Sequence, residues 1–127
     1  MEPIDTLITA RWIVPIEPDS RVLEDHAVAI HRGLVVAVAP TREALVRFAA
    51  EELIERPAHV LLPGFVNTHT RAAMTLLRGA AESSCFDYWL NRQILPLEQR
   101  WMDAEYVRDG AELAIADMLS SGRTCFA

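Results

Sequence analysis

The residues of this chain that could do chemistry lie in one stretch, Leu61 to Gly79, which reads LLPGFVNTHTRAAMTLLRG. An apolar segment runs into Asn67 and His69, which places an imidazole at the end of a predicted buried strand. Side chains alternate along a strand, so positions 69 and 71 point the same way. An imidazole at a strand end can bind a divalent metal, whereas position 71 is arginine, whose guanidinium stays protonated and has no lone pair to donate.

Arg71 is therefore expected to oppose metal binding as well as to withhold a ligand. At an effective dielectric of ~20, a guanidinium in contact with a dication is repelled by on the order of several kcal/mol. A single imidazole binds a metal weakly, so we expect this chain on its own to hold none. The simplest alternative for His69 is a strand-end histidine hydrogen-bonded to a neighbour.

The first half of the chain predicts mainly β structure. Thr6 to Ile16 is rich in β-branched residues and predicts a strand, and Ala27 to Val38 predicts an antiparallel hairpin with Gly33 at its tip. Thr41 to Leu53 has apolar residues at helical spacing and predicts a helix capped by Thr41. His59 to Leu62 predicts a further short strand.

Beyond Pro63-Gly64 an extended run at Phe65-Val66 precedes a mostly helical pattern. Helices are predicted at Arg71 to Arg78, around Phe86 to Arg100, and from Asp103 to Ser121. Asp103 is the expected cap of the last helix and Gly122 its stop, and a strand begins again at Thr124. Its predicted apolar face consists of Val107, Ala111, Ala114, Ile115 and Met118. The order strand, helices, strand is typical of a parallel sheet.

The stretch around His69 resembles the amidohydrolase superfamily, in which a strand ends in His-x-His and both imidazoles bind a divalent metal. The resemblance extends over essentially the whole chain. Within the superfamily, four short segments are similar to the branch that deaminates 5'-methylthioadenosine and S-adenosylhomocysteine: Ala72 to Gly79, Trp89-Leu90, Pro96-Leu97-Glu98 and Val107 to Gly110. Triazine chlorohydrolases and guanine deaminases are neighbouring branches and remain alternatives.

This resemblance implies an α/β fold in two parts. Residues 1–62 would form the N-terminal part of a small antiparallel β-sandwich domain, and residues 63–127 the first βα portion of a (β/α)8 barrel. A complete barrel needs about 250 residues, so the 127 residues here are expected to form only its first strand and helices.

The resemblance also implies a hydrolase that uses one divalent metal, zinc first and iron second, to release ammonia from the adenine ring of a nucleoside-type substrate. His69 would be a metal ligand, Glu98 would accept hydrogen bonds from the ribose hydroxyls, and Trp89 would line the 5' end. No catalytic residue falls in this segment. The alternatives are a helix carboxylate paired with Arg92 or Arg100 for Glu98, and a core or interface anchor for Trp89.

The composition of the chain limits the classes of partner that it is expected to bind. Acidic residues outnumber basic ones 18 to 12, for a net charge of −6, which disfavours nucleic-acid and membrane partners. All basic residues other than histidine are arginine, so no lysine is present to form a Schiff base or to bridge metals. We expect a cytoplasmic protein, with Cys85 and Cys125 as small apolar residues outside any disulfide.

A second, non-enzymatic hypothesis follows from Arg71 and from Arg123, which stands where relatives usually carry a small residue. The chain would then be a truncated, degenerate product, inactive alone. It would leave apolar faces uncovered, so it would form a homo-oligomer or assemble with a complementary chain.

Overall fold

The computed structural model describes residues 1–80 and 85–127, and it divides into two units, Met1–Pro63 and Gly64–Ala127. The first unit is a four-stranded sheet with one short helix. The second consists mainly of helices together with a two-stranded parallel sheet. No helix in these two ranges is both long and apolar enough to cross a membrane.

The sheet of the first unit has the strand order β3-β2-β1-β4. Neighbours β1–β2 and β2–β3 are antiparallel, whereas β4 runs parallel to β1, so the sheet is mixed and not the purely antiparallel unit that the sequence predicts. The elements of this unit are β1 (Glu2–Ile13), β2 (Leu23–His31), β3 (Leu34–Pro40), α1 (Thr41–Arg47) and β4 (Phe48–Leu61).

The predicted hairpin is confirmed as β2 and β3. Its tip is the two-residue turn Arg32-Gly33, and both residues have positive φ, 53° and 75°. Glycine adopts this conformation at little cost, whereas arginine needs support. That support comes from Asp5 on β1, whose carboxylate accepts a hydrogen bond from the Arg32 N–H at 2.6 Å and contacts His31 Nδ1 at 2.9 Å.

The prediction of a helix from Thr41 to Leu53 is wrong beyond Arg47. The chain turns extended at Phe48 and runs beside β1 from the pair Glu2↔Phe48 onwards. The Phe48 ring is buried in the core, and a long ladder of backbone hydrogen bonds outweighs local helical spacing. Thr41 is also not the cap, since Pro40 holds that position without a side-chain hydrogen bond.

Small side chains form much of the core of the first unit. Ala27 and Ala29 on β2 and Ala39 on β3 are buried beneath Ala44 of α1, which lets the helix lie close to the sheet. The complete cluster is Ile4, Leu7, Ala27, Ala29, Ala39, Ala44 and Phe48.

The second unit confirms the order strand, helices, strand. Strands β5 (Phe65–Asn67) and β6 (Arg123–Phe126) pair in parallel, with Asn67 opposite Phe126. The predicted helix at Arg71 to Arg78 is a 3-10 helix, Ala72–Leu77. The predicted helix around Phe86 to Arg100 is a continuous run made of α2 (Phe86–Tyr88), a π-helical turn (Trp89–Ile94) and α3 (Leu95–Trp101).

Helix α4 (Ala104–Ser120) has the predicted ends, and Ala114 and Met118 of its predicted apolar face are buried. Asp103 caps it by accepting from the Tyr106 N–H at 2.8 Å, and Gly122 follows it with φ 81°. The residues it buries are Gly110, Ala114 and Met118, whereas Val107 and Ile115 are 44% and 38% exposed. The side of α4 that carries Gly110 faces the 3-10 helix, and the backbone of Ala73 lies against that glycine.

Candidate functional site

Asn67 organises the end of β5. Its side-chain Oδ1 accepts a hydrogen bond from the His69 N–H at 3.2 Å, and its Nδ2 donates to the Met118 sulfur at 3.7 Å. Its backbone carbonyl accepts from the Ala127 N–H at 3.0 Å. Asn67 therefore joins β5, α4 and β6, and it fixes the start of the connection that carries His69. The His69 side chain itself is exposed.

Arg71 lies two residues further along the same connection, at the N-cap position of the 3-10 helix. Its carbonyl accepts from the Met74 N–H at 3.0 Å, and its guanidinium Nη1 contacts the Met74 sulfur at 3.8 Å. Thioether sulfur is a weak acceptor, so this contact positions the guanidinium without neutralising it. Among the residues that the structure describes, Arg71 forms no ion pair within 4.0 Å.

These residues do not by themselves fit a metal ion. Within 1–80 and 85–127 there is no group of three or more histidine, cysteine, aspartate or glutamate side chains that could hold one. A site at the end of β5 would contain His69 as its one ligand from this strand, with the Arg71 cation beside it. A protein zinc site uses at least three protein ligands.

Trp89 stands at the first residue of the π-helical turn and is half-buried. The centroid of its ring lies 5.6 Å from that of Phe86, at a tilt of 35°. The backbone N–H of Trp89 donates to the Cys85 carbonyl at 2.9 Å. Single π-helical turns within α-helices occur often at functional sites, because they shift the side chains that follow.

Glu98 lies on α3 and is half-buried. The alternative pairing with Arg92 or Arg100 is not formed: in the described part of the chain neither arginine comes within 4.0 Å of its carboxylate. The Arg100 guanidinium instead lies over the Trp101 ring, 5.2 Å from its centroid. The Glu98 carboxylate is therefore left to accept other donors.

Tyr106 is a neighbour of Glu98 that sequence reasoning missed. Burial, and secondarily the negative charge of Glu98, raise the pKa of the Tyr106 phenol above its usual value. The hydroxyl is buried and finds no hydrogen-bond partner within the described residues. No motif in the sequence singles out Tyr106, because the effect depends on α3 and α4 bringing the two side chains together.

The structure does not join His69 and Glu98 directly, since no hydrogen bond or ion pair links them in the ranges described. Further expectations concern the two cysteines and Arg123. Cys85 and Cys125 are both exposed, so neither packs as a small apolar side chain in the core. Arg123 is also exposed, and its guanidinium hydrogen-bonds to the Ser121 hydroxyl.

Comparison with known proteins shows that the chain matches a family model, individual related proteins and solved structures. The model of the Amidohydrolase family matches residues 60–127. A protein of Teredinibacter turnerae named 5-methylthioadenosine/S-adenosylhomocysteine deaminase is 44% identical over 124 residues, and one of the same name from Saccharophagus degradans is 41% identical. Each alignment covers 98% of this chain and 28% of the relative, so the chain spans somewhat over a quarter of the length of these relatives.

Two solved structures are also similar. An adenosine deaminase from Xanthomonas campestris with bound zinc superposes with a TM-score of 0.91 at 51% identity, over 98% of this chain and 28% of that protein. An atrazine chlorohydrolase from Arthrobacter aurescens complexed with zinc has a TM-score of 0.80 at 21% identity, over 95% of this chain and 28% of that protein. The second likeness concerns the fold alone.

Proposed function

Because this chain belongs to the amidohydrolase family, we propose that it is the N-terminal segment of a metal-dependent hydrolase that deaminates 5'-methylthioadenosine, S-adenosylhomocysteine or adenosine. The observation that carries this proposal is the 51% identity and TM-score of 0.91 to an adenosine deaminase over nearly the whole chain. In this proposal the first unit is part of a β-sandwich domain. The parallel pair β5–β6, with the helices between them, is the first βα portion of a barrel.

The proposed substrate residues are Glu98 and Trp89. Glu98 is half-buried and, within residues 1–80 and 85–127, has no arginine within 4.0 Å, so its two oxygens can accept two hydroxyl donors, as adjacent ribose hydroxyls would require. Trp89 offers a large ring surface to the apolar 5' substituent of a methylthionucleoside. Tyr106 is a neighbour of this carboxylate, and burial, followed by the charge of Glu98, raises the pKa of its phenol above the usual value.

His69 is the one metal-ligand position that we assign to this segment. A zinc ion supplies an activated water for attack on the adenine ring when it is bound in such enzymes. His69 would contribute one imidazole, oriented by the Asn67 side chain through the backbone of the loop. With Arg71 at the second position, we propose that this chain alone is inactive.

Substrate class is tested by complementation. The chain carrying Arg71→His would be mixed with the remaining residues of the Xanthomonas campestris adenosine deaminase, with zinc present. We expect ammonia release from methylthioadenosine, no ammonia release from guanine and no chloride release from chlorotriazines. In a matched Glu98→Gln variant, KM for methylthioadenosine should rise more than the corresponding KM for a substrate without ribose hydroxyls. Turnover of guanine or a chlorotriazine in place of the nucleoside would favour a neighbouring branch of the family.

A second candidate function is non-catalytic assembly, and a specific surface favours it. The β1–β3 face of the first unit carries an apolar groove of about 390 Å³, which we call the β3 groove; its lining includes Ile8, Val28, Ile30, Val35, Val38 and Leu61. Val35 at this groove is 64% exposed. Strand β3 lies at the edge of the sheet and has no charged side chain, so two copies could pair there without opposing charges. We propose that a second copy of the chain covers this groove in the non-catalytic case.

A further inference from the structure

The connection between β5 and the 3-10 helix carries the imidazole of His69 and, two residues later, the guanidinium cation of Arg71. His69 and Arg71 are both exposed and are separated by a single residue, so their Cα atoms lie at most about 7 Å apart. The Arg71 guanidinium can therefore come within one Debye length, about 8–10 Å, of an ion bound by His69.

The guanidinium of Arg71 lies at the first turn of the 3-10 helix, where its Nη1 contacts the Met74 sulfur at 3.8 Å. The backbone of Arg71 is held separately, since its carbonyl accepts a hydrogen bond from the Met74 N–H. Neither contact brings a negative charge to the guanidinium. Arginines elsewhere in the described ranges do find carboxylates within 4.0 Å, namely Arg11, Arg21, Arg47, Arg78 and Arg108.

We infer that the end of β5 in this chain excludes divalent cations, and that it does so through the charge of Arg71 in addition to the missing second imidazole. The residues at the end of β5 do not suit the zinc ion that the similar structures contain, because the Arg71 guanidinium places a positive charge beside the position of the ion. This inference does not depend on the proposed deaminase activity, because it concerns only the affinity of the chain itself for a metal ion.

The two contributions can be separated with substitutions at one exposed position. Arg71→Gln removes the charge without adding a metal ligand, and Arg71→His removes the charge and adds one. Zinc chloride would be titrated into the 127-residue chain while the imidazole proton signals of its four histidines are followed by NMR. His26, His31 and His59 lie in the first unit and serve as internal references for folding and for non-specific binding.

We expect the His69 signal to respond at the lowest zinc concentration in Arg71→His, at a higher one in Arg71→Gln, and last in the unaltered chain. The step from arginine to glutamine should be about tenfold in affinity, as expected for a unit charge near a dication at intermediate dielectric. Adding His69→Gln to Arg71→His should abolish the gain.

Two outcomes would overturn the inference. If His69 in the unaltered chain responded at the same zinc concentration as in Arg71→His, the site would not exclude cations. If Arg71→Gln bound zinc no more tightly than the unaltered chain, the charge would have no role and only the missing ligand would matter. Failure of the complementation assay would leave both results unaffected, so the two proposals can fail separately.

Discussion

Single residues carry the strongest functional information in this chain, and the sequence predicts some of their properties better than others. The chemistry of His69 and Arg71 can be read directly, because a guanidinium cannot bind a metal in any fold. The way in which Asn67 holds the loop and Met74 holds the guanidinium could not be predicted, since both depend on packing between separate elements. The closeness of Tyr106 to Glu98 was missed for the same reason.

Asp5 is a residue whose role appears only in the fold, and it should make the first unit sensitive to acid. Its hydrogen bonds to the Arg32 N–H and to His31 lower the pKa of its carboxyl group below the usual value. A carboxyl whose pKa is lower in the folded state stabilises the fold above its unfolded pKa, about 4. That contribution is lost as the pH falls through the lower folded value.

We therefore expect Asp5→Asn to reduce stability at pH 6 and to flatten the decline in stability below pH ~4. Urea unfolding followed by circular dichroism at several pH values measures both effects. Asp25→Asn is the matched control, because Asp25 lies in the same sheet with a single 4.0 Å contact to Arg11. An acid profile that Asp5→Asn leaves unchanged would show that the carboxylate does not support the turn.

Among the helices, strands and turns, the sequence predicts correctly those features that depend on interactions between residues close together in the chain. The two-residue turn at Gly33, the Asp103 cap and the Gly122 stop were all predicted, because each depends on residues a few positions apart. The helix predicted over residues 41–53 is wrong beyond Arg47, because the pairing of β4 with β1 joins residues more than 40 positions apart. Ala114 and Met118 were correctly placed on the buried face of α4, whereas the burial of Gly110 was not predicted, because its contact with Ala73 joins residues distant in sequence.

That contact makes a prediction about Gly110. A Cβ at this position would lie 2.5 Å from the Ala73 carbonyl oxygen and 2.8 Å from its Cα, and a backbone cannot yield as a flexible side chain can. In an exposed helix interior, glycine to alanine stabilises by about 1 kcal/mol. Here we expect Gly110→Ala to destabilise the second unit by about 1–3 kcal/mol, because overpacking outweighs the helix propensity.

Urea denaturation monitored by far-UV circular dichroism would measure this change. Glu112→Ala, at an exposed position of the same helix, controls for propensity and should change stability by no more than about 0.5 kcal/mol. A stabilised Gly110→Ala variant would mean that α4 does not approach Ala73 closely.

At the scale of the whole molecule, the family resemblance predicted from the residues around His69 is confirmed by the match of residues 60–127 and by relatives that align with nearly all of the chain. Each of its two units nevertheless leaves apolar side chains exposed. In the first unit these include Leu34, Val35 and Val36 on β3; in the second they include Phe65 and Val66 on β5. Such surfaces favour association with further protein.

The β3 groove allows a test of self-association. If a second copy covers it, Val35→Lys should shift the chain towards the monomer, because burying a lysine ammonium in an apolar contact is costly. Val46→Lys, on α1 and outside the groove lining, is the matched control, since Val46 is 76% exposed and carries a similar change in charge. Sedimentation equilibrium would measure both. Equal effects of the two variants would argue against pairing through this groove.

We propose that this chain is the N-terminal segment of an adenosine-type deaminase and that Arg71 keeps it from holding the metal ion that the reaction needs. Both parts of this proposal are tested by ammonia release from methylthioadenosine, when zinc and the remaining residues of the Xanthomonas campestris adenosine deaminase are added to the unaltered chain and, in parallel, to its Arg71→His variant. We expect turnover with the variant and none with the unaltered chain. Turnover with the unaltered chain at a rate comparable to that of the variant would contradict it.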